Sequence, residues 1–112
     1  MAETNPCYLT VSEVAPLLKS KRLSPVELTS AYLDRIDRLN PKINAFITTL
    51  RDEALQSARA LEREIAMGKY RGPLQGVPIA VKDIFATNGH RTTCGSKILR
   101  DNITHYDATA IA

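Results

Sequence analysis

Hydrophobic residues in the first two thirds of the chain recur with the spacing of amphipathic helices, and short polar stretches separate these repeats. The segment Leu9–Lys19 predicts a first helix, and either Thr10 or Ser12 is available to cap its N-terminus. Its apolar side chains would share one side of the helix: Val14, Leu17 and Leu18. This helix is expected to give way at Lys21–Leu23.

A second helix is predicted by a stronger start signal. Ser24 is followed by Pro25 at the first helical position and by Glu27 three residues on, which is the pattern of a capping box with proline at N1. The helix would run from Pro25 to about Leu39, and Asn40-Pro41 would stop it. Its apolar stripe consists of Leu28, Tyr32, Ile36 and Leu39. This stripe is expected to bury against another element.

A third helix is predicted from about Arg51 to Met67, with Gly68 as its C-terminal glycine. Its apolar stripe consists of Ala54, Ala58, Leu61 and Ile65. The composition then changes, because Gly68, Gly72 and Gly76 recur at intervals of four residues. This spacing matches neither a P-loop nor a dinucleotide-binding fingerprint, so we interpret these glycines as turns.

Short strands are predicted between and after the helices. Ile43–Leu50 has the β-branched and aromatic content of a strand. Val77–Val81 is a continuous apolar run that is typical of a strand buried on both faces, and the predicted strand extends from Val77 to Lys82. A third short strand is considered at Arg91–Cys94. The predicted fold class is therefore α/β, with N-terminal helices followed by short strands.

Composition and charge narrow the function classes. The chain has 112 residues, 44% hydrophobic and 24% charged, which is the balance of one globular domain spanning residues 1–112. The net charge of +3 is spread among alternating signs, and no basic run is interleaved with aromatic residues, so nucleic-acid binding is not indicated. No signal-peptide pattern and no run of ~20 apolar residues is found, which predicts a cytoplasmic protein that does not enter a membrane. Cys7 and Cys94 are expected to be free thiols.

Lys82 is the one candidate for catalysis that the residues themselves suggest. It ends the apolar run Val77–Lys82, and a lysine whose neighbours are buried can be desolvated, lose its proton and act as a base. The alternative is that the Lys82-Asp83 pair simply carries the strand end out into water.

Other polar groups give weaker indications. His90, Cys94 and His105 could be combined as metal ligands, but their spacing matches no ligand motif, and neither a metal nor a cofactor is expected. Ser96 follows Gly95 and is interpreted as a turn residue. Together with Thr92, Thr93 and Cys94, it is interpreted as a polar strand-and-turn segment.

Several segments resemble the amidase signature family. They are Leu23–Thr29, Asn40–Phe46, the lysine-bearing Gly72–Phe85 with its continuation to Leu99, and Tyr106–Thr109. The resemblance implies an α/β domain that hydrolyses a carboxylic amide, or transfers its nitrogen, with a Ser, cis-Ser, Lys triad. It implies the catalytic lysine at Lys82, and no position that matches either serine. The serines present are Ser12, Ser20, Ser24, Ser30, Ser57 and Ser96, and none lies in a Gly-Ser-Ser-Gly setting.

The resemblance leaves three readings of function. The first is the N-terminal portion of an amidase, truncated before the serine-bearing segments and inactive by itself. The second is the same portion of the A subunit of the tRNA-dependent amidotransferase. The third is a non-catalytic module that binds a partner through an exposed helical face and a strand edge. The expected partners are a small-molecule amide substrate in a complete enzyme, and a complementing C-terminal fragment or a second copy of the chain.

Overall fold

The computed structural model describes residues 4–112 and places all of the described helices in the first two thirds of the chain. A short 3₁₀ helix, Pro6–Tyr8, precedes three α-helices: α1 (Val11–Lys19), α2 (Pro25–Ile43) and α3 (Arg51–Ala66). The chain divides into two compact units, Met1–Pro78 and Ile79–Ala112. The helical part of the prediction is therefore confirmed for all three helices.

The first two α-helices begin with capping boxes. At α1 the cap is Thr10, whose hydroxyl accepts a hydrogen bond from the Glu13 amide at 3.3 Å, while the Glu13 carboxylate accepts one from the Thr10 amide at 2.7 Å. At α2 the Ser24 hydroxyl accepts from the Glu27 amide at 3.1 Å, and the Glu27 carboxylate accepts from the Ser24 amide at 3.0 Å. Each box satisfies backbone donors that the first turn of a helix leaves unpaired.

The hydrophobic core of the first unit lies where α1 and α2 meet, and α2 also packs against α3. Its buried members are Val14, Leu18 and Leu28, with Leu9, Leu23, Tyr32 and Val77 packed around them. Ala58 and Ile65 are the buried residues of α3. The predicted stripe of α2 is largely covered, since Leu28 is buried and Tyr32, Ile36 and Leu39 are half-buried. It is not the exposed helical face that the binding-module reading requires.

The end of α2 corrects one prediction. Asn40-Pro41 does not stop the helix, which continues to Ile43. Pro41 is tolerated because it lies in the last turn, where a missing N–H removes a single hydrogen bond. The helix ends at Asn44, which adopts a left-handed φ of 49° and donates its N–H to the Asn40 carbonyl at 2.7 Å. Asparagine tolerates this conformation better than other non-glycine residues.

The predicted strands are not formed among residues 4–112. Ile43 belongs to α2, the Asn40 side chain bonds both the N–H and the C=O of Phe46, and Val77–Lys82 is irregular. At Arg91–Cys94 only one antiparallel bridge is present, from Arg91 to Ile103. A strand needs a neighbour to satisfy its backbone groups, and apart from the Arg91–Ile103 bridge no strand pairing is formed by these segments within residues 4–112.

The second unit, Ile79–Ala112, is held by turns and polar contacts rather than by helices. Its buried residues are Ala86, Thr92, Thr93 and Thr104. The Thr104 hydroxyl donates to the Thr87 carbonyl at 2.7 Å, and the Thr92 amide donates to the Asn102 carbonyl at 3.0 Å. Within residues 4–112 there is no helix that is both long and apolar enough to cross a membrane.

Candidate functional site

Lys82 lies in an exposed apolar segment of the second unit. Ile79, Val81 and Ile84 are 79%, 42% and 52% exposed, and Lys82 itself is exposed. Its carbonyl oxygen accepts a hydrogen bond from the Phe85 amide at 3.1 Å, which closes a turn after the lysine. The prediction that the run around Lys82 is buried on both faces is therefore wrong for the described part of the chain, because no described layer covers it.

Asp83, next in the chain, is fastened by the dipeptide Thr93-Cys94. Its Oδ1 accepts from the Thr93 amide at 3.0 Å, its Oδ2 accepts from the Thr93 hydroxyl, and its carbonyl oxygen accepts from the Cys94 amide at 2.8 Å. Partial burial raises the pKa of the Asp83 carboxyl. Hydrogen bonds from Thr93 and the Gly95 amide, together with the charge of Arg91, lower the pKa by more than burial raises it. The net pKa lies below the ordinary aspartate value, so Asp83 is a carboxylate at neutral pH.

The segment Thr93–Ser96 forms a tight turn around this carboxylate. Cys94 and Gly95 have left-handed φ angles of 52° and 68°. The Thr93 hydroxyl accepts from the Gly95 amide at 3.2 Å, and the Thr93 carbonyl accepts from the Ser96 amide at 2.8 Å. The Ser96 hydroxyl in turn accepts from the Ile98 amide at 3.2 Å. These contacts agree with the interpretation of Ser96 as a turn residue.

The Asp83–Thr93 contact was missed by the sequence analysis. The residues that make it were visible separately, as the acidic neighbour of Lys82 and as a threonine before a Cys-Gly turn. Their pairing spans ten residues. No local pattern predicts a contact at that separation, so it required the fold.

In the first unit, the loop that precedes the lysine segment is held by hydrogen bonds of one buried glutamine, Gln75. The Gln75 Oε1 accepts from the Arg71 amide at 2.6 Å, and its Nε2 donates to Glu64 Oε2 and to the Lys69 carbonyl, each at 3.0 Å. Arg71 also pairs with Glu64 at 2.9 Å. A Cβ at Gly76, whose φ is +88°, would lie 2.9 Å from Pro25 Cγ. The turn interpretation of Gly76 is confirmed, and glycine is required there.

The remaining candidate groups do not converge on a site. His90, Cys94 and His105 are not brought together, since residues 4–112 contain no group of three side chains that could hold a metal ion. Cys7 and Cys94 are free thiols. A cavity of about 230 Å³ in the first unit is lined by residues of α1, α2, α3 and the α1–α2 loop. Lys82 is not among its lining residues.

Comparison with known proteins assigns the family. The family model described as Amidase matches residues 27–112. The chain is 52% identical over 104 residues to the A subunit of the glutamyl-tRNA(Gln) amidotransferase of Geobacter metallireducens, and 50% identical over 102 residues to the same subunit of Dechloromonas aromatica. These alignments cover 93% and 91% of the chain and 21% of each relative.

Solved structures agree with that assignment. A bacterial aryl acylamidase of the amidase signature family superposes with a TM-score of 0.82 and 36% identity, covering 88% of this chain and 20% of that one. A structure described as a vestigial protein complex that reveals the origins of an s-triazine catabolic enzyme superposes with a TM-score of 0.83 and 32% identity, covering 89% and 22%.

The chain therefore belongs to the amidase signature family, as its resemblance predicted. Its structural neighbours are α/β enzymes, which supports the predicted class, while the short strands are not confirmed within residues 4–112. The chain spans about a fifth of the length of the curated relatives it matches.

Proposed function

We propose that this chain carries the proton-accepting lysine, Lys82, of an enzyme that cleaves carboxylic amides. The observation that supports this most directly is that the Amidase match spans residues 27–112 and so includes the whole lysine segment. The hydrogen bonds from Thr93 and Cys94 to Asp83, the residue next to Lys82, further support the proposal, because a base must be held in a defined geometry to act.

In the proposed reaction, the Lys82 amine accepts a proton from a bridging serine, which at the same time takes the proton of a nucleophilic serine. The nucleophile attacks the amide carbon, and backbone N–H groups hold the oxyanion that forms. The C–N bond then breaks, and the proton returns through the bridging serine to the leaving amine or ammonia. Water, activated by the same groups, hydrolyses the acyl-enzyme and restores the nucleophilic serine.

We propose that residues 1–112 are the N-terminal portion of one amidase-type domain and that this portion alone turns over no amide. The two serines would come from sequence outside it, either continuing the same chain or on a separate chain. A cis peptide bond before a serine costs about 3–4 kcal/mol and needs surrounding structure to enforce it. We call the complex or chain that contains both residues 1–112 and the two serines the assembled enzyme. In the assembled enzyme, Val77–Lys82 would form a paired strand. A cytoplasmic location is part of this proposal, with the free thiols of Cys7 and Cys94 as support.

A second candidate is the corresponding part of the A subunit of a glutamyl-tRNA(Gln) amidotransferase. It is compatible with identities of 46% to 52% to eight subunits of that name. Both candidates share amide cleavage and the role of Lys82. They differ in the fate of the nitrogen, which is released as ammonia or amine in the first and transferred to a glutamyl-tRNA in the second.

Amide turnover by reconstituted protein tests the proposal. The chain is purified and assayed for ammonia or amine release, alone and mixed with a second chain that carries the serine-bearing remainder of a relative. Turnover is expected in the mixture and absent from either chain alone. Turnover by the 112-residue chain alone would contradict the claim that it is inactive, and a mixture that binds but never turns over would contradict the amidase role.

The same mixture distinguishes the two candidates when glutamine is the substrate and glutamyl-tRNA is either present or absent. Ammonia release that does not change on adding the tRNA favours the simple amidase. Nitrogen transfer to the tRNA-bound glutamate favours the amidotransferase.

A further inference from the structure

The segment that carries Lys82 has a single anchored side chain. Within residues 79–85 every residue is exposed except Asp83, which is half-buried. The backbone position of Lys82 therefore depends on how firmly Asp83 is held, because adjacent residues share a peptide plane. Asp83 attaches this segment to the rest of the second unit by three hydrogen bonds from Thr93 and Cys94.

All three of those hydrogen bonds come from one dipeptide. Thr93 donates both its amide and its hydroxyl to the Asp83 carboxylate, and the Cys94 amide donates to the Asp83 carbonyl. The contact therefore fixes the side chain and the backbone of Asp83 together. Two of the bonds end on an ionised oxygen, and such bonds are about twice as strong as neutral ones.

The dipeptide is itself held in place. Thr93 is only 4% exposed, and its hydroxyl donates to Asp83 while accepting from the Gly95 amide at 3.2 Å. The left-handed conformations of Cys94 and Gly95 turn the chain back immediately after it. Asp83 is thus bonded to a tight turn whose own hydrogen bonds hold the Thr93 hydroxyl.

We propose that Asp83 is a positioning residue that holds Lys82 in its proton-accepting geometry through Thr93 and Cys94. This inference rests on the proposed function of Lys82. Its consequence is specific: loss of the Thr93 hydroxyl or of the Asp83 charge reduces the rate of the chemical step while substrate binding is retained.

The test uses variants of this chain in the assembled enzyme. Asp83→Asn removes the charge without changing the shape, and Thr93→Val removes the hydroxyl donor. Each is expected to lower kcat by about 10- to 100-fold, because a misplacement near 1 Å can cost that much, with KM changed by less than about threefold. Thr93→Ser restores the donor and is expected to recover kcat to within about threefold of the unmutated enzyme.

Thr104→Val is the matched control for a purely structural loss. Thr104 is buried in the same unit, and its hydroxyl donates to the Thr87 carbonyl at 2.7 Å, away from Asp83. It is expected to lower the melting temperature about as much as Thr93→Val while kcat stays within about threefold. The double variant Asp83→Asn/Thr93→Val is expected to lose little more kcat than either single variant, because both remove the same contact.

The outcomes separate this inference from the function it depends on. If Lys82→Ala inactivates the enzyme but Asp83→Asn and Thr93→Val keep kcat within about threefold, the positioning role is overturned and the proposed function stands. Equal loss of kcat in Thr93→Val and Thr104→Val also overturns it. Full turnover by Lys82→Ala contradicts the proposed function itself.

Discussion

Asp83 combines partial burial with a lowered pKa, so its contribution to stability depends on pH. Because the carboxyl of the folded protein binds a proton less readily than that of the unfolded chain, the charge favours the folded state above the unfolded pKa of about 3.9. That stabilisation is lost as the pH falls below this value and through the lowered pKa of the folded protein. The residue beside the proposed base is therefore also an acid-sensitive point of the second unit.

Replacing Asp83 by Asn should expose this dependence. At pH 7 we expect Asp83→Asn to lower the free energy of unfolding by about 1–3 kcal/mol, because hydrogen bonds to a charged group are replaced by neutral ones. The difference from the unmutated chain should shrink below about pH 4. Urea unfolding between pH 3 and pH 7 measures it. Asp107→Asn, in which an exposed side chain keeps its bond from the Asn88 amide, serves as control; a difference independent of pH at position 83 would contradict this account.

Gly76 offers a second residue-scale prediction, because its neighbours leave no room for a side chain. Gly76→Ala would bring a Cβ to 2.9 Å from Pro25 Cγ and 3.5 Å from Leu18 Cδ1, at the edge of the hydrophobic core. Gly68→Ala is the matched control, since its φ of +79° is similar but nothing lies within 4 Å of the added Cβ. We expect Gly76→Ala to destabilise by about 1–3 kcal/mol more than Gly68→Ala, measured by thermal unfolding. Equal losses would mean that only the backbone conformation matters.

At the scale of elements, the helices follow from signals that lie within a few residues of each other. Ser24, Pro25 and Glu27 define the start of α2 in the sequence, and the structure forms the same capping box. The strands depend on partners distant in sequence, so their composition alone could not show whether they pair within residues 4–112. The end of α2 was misjudged for a related reason, because Asn44 and the bonds of Asn40 to Phe46 outweigh the stop signal of Pro41.

The candidate site likewise contains one residue that the sequence identifies and one contact that only the structure reveals. Lys82 could be identified from the apolar run that precedes it, Val77–Val81, and from the family resemblance of its segment, both of which are visible in the sequence. The Asp83–Thr93 contact could not, because it joins residues ten positions apart and no local pattern specifies it.

The contribution of the α2 capping box to stability can be measured by removing its serine hydroxyl. Ser24→Ala removes the hydroxyl that accepts from the Val26 and Glu27 amides, and we expect it to lower the free energy of unfolding by about 1 kcal/mol. Ser57→Ala, at an exposed position inside α3, should change it by less than about 0.5 kcal/mol. Circular dichroism at 222 nm during thermal unfolding compares the two. A Ser24→Ala chain as stable as Ser57→Ala would show that tertiary packing alone determines where α2 begins.

At the scale of the whole molecule, several large apolar side chains remain exposed among the described residues. Ile43 at the end of α2 is 65% exposed, and Ile47 and Leu50 in the α2–α3 connection are 55% and 41% exposed. The Lys82 segment is also exposed. Exposed apolar side chains that lie close together in a chain can mark a surface that another element or a partner covers. This exposure is consistent with the proposal that further sequence, absent from these 112 residues, completes the sheet and the active site.

The direct test of the central claim is the kcat of the assembled enzyme when Lys82 alone is changed. Lys82→Ala should lower kcat by about 10²–10⁴-fold, the usual contribution of a general base, while the melting temperature changes little because the side chain is exposed. Lys97→Ala, at another exposed lysine of the same unit, is the matched control and should leave kcat unchanged. A Lys82→Ala enzyme that turns over amide as fast as the Lys97→Ala enzyme would contradict the account.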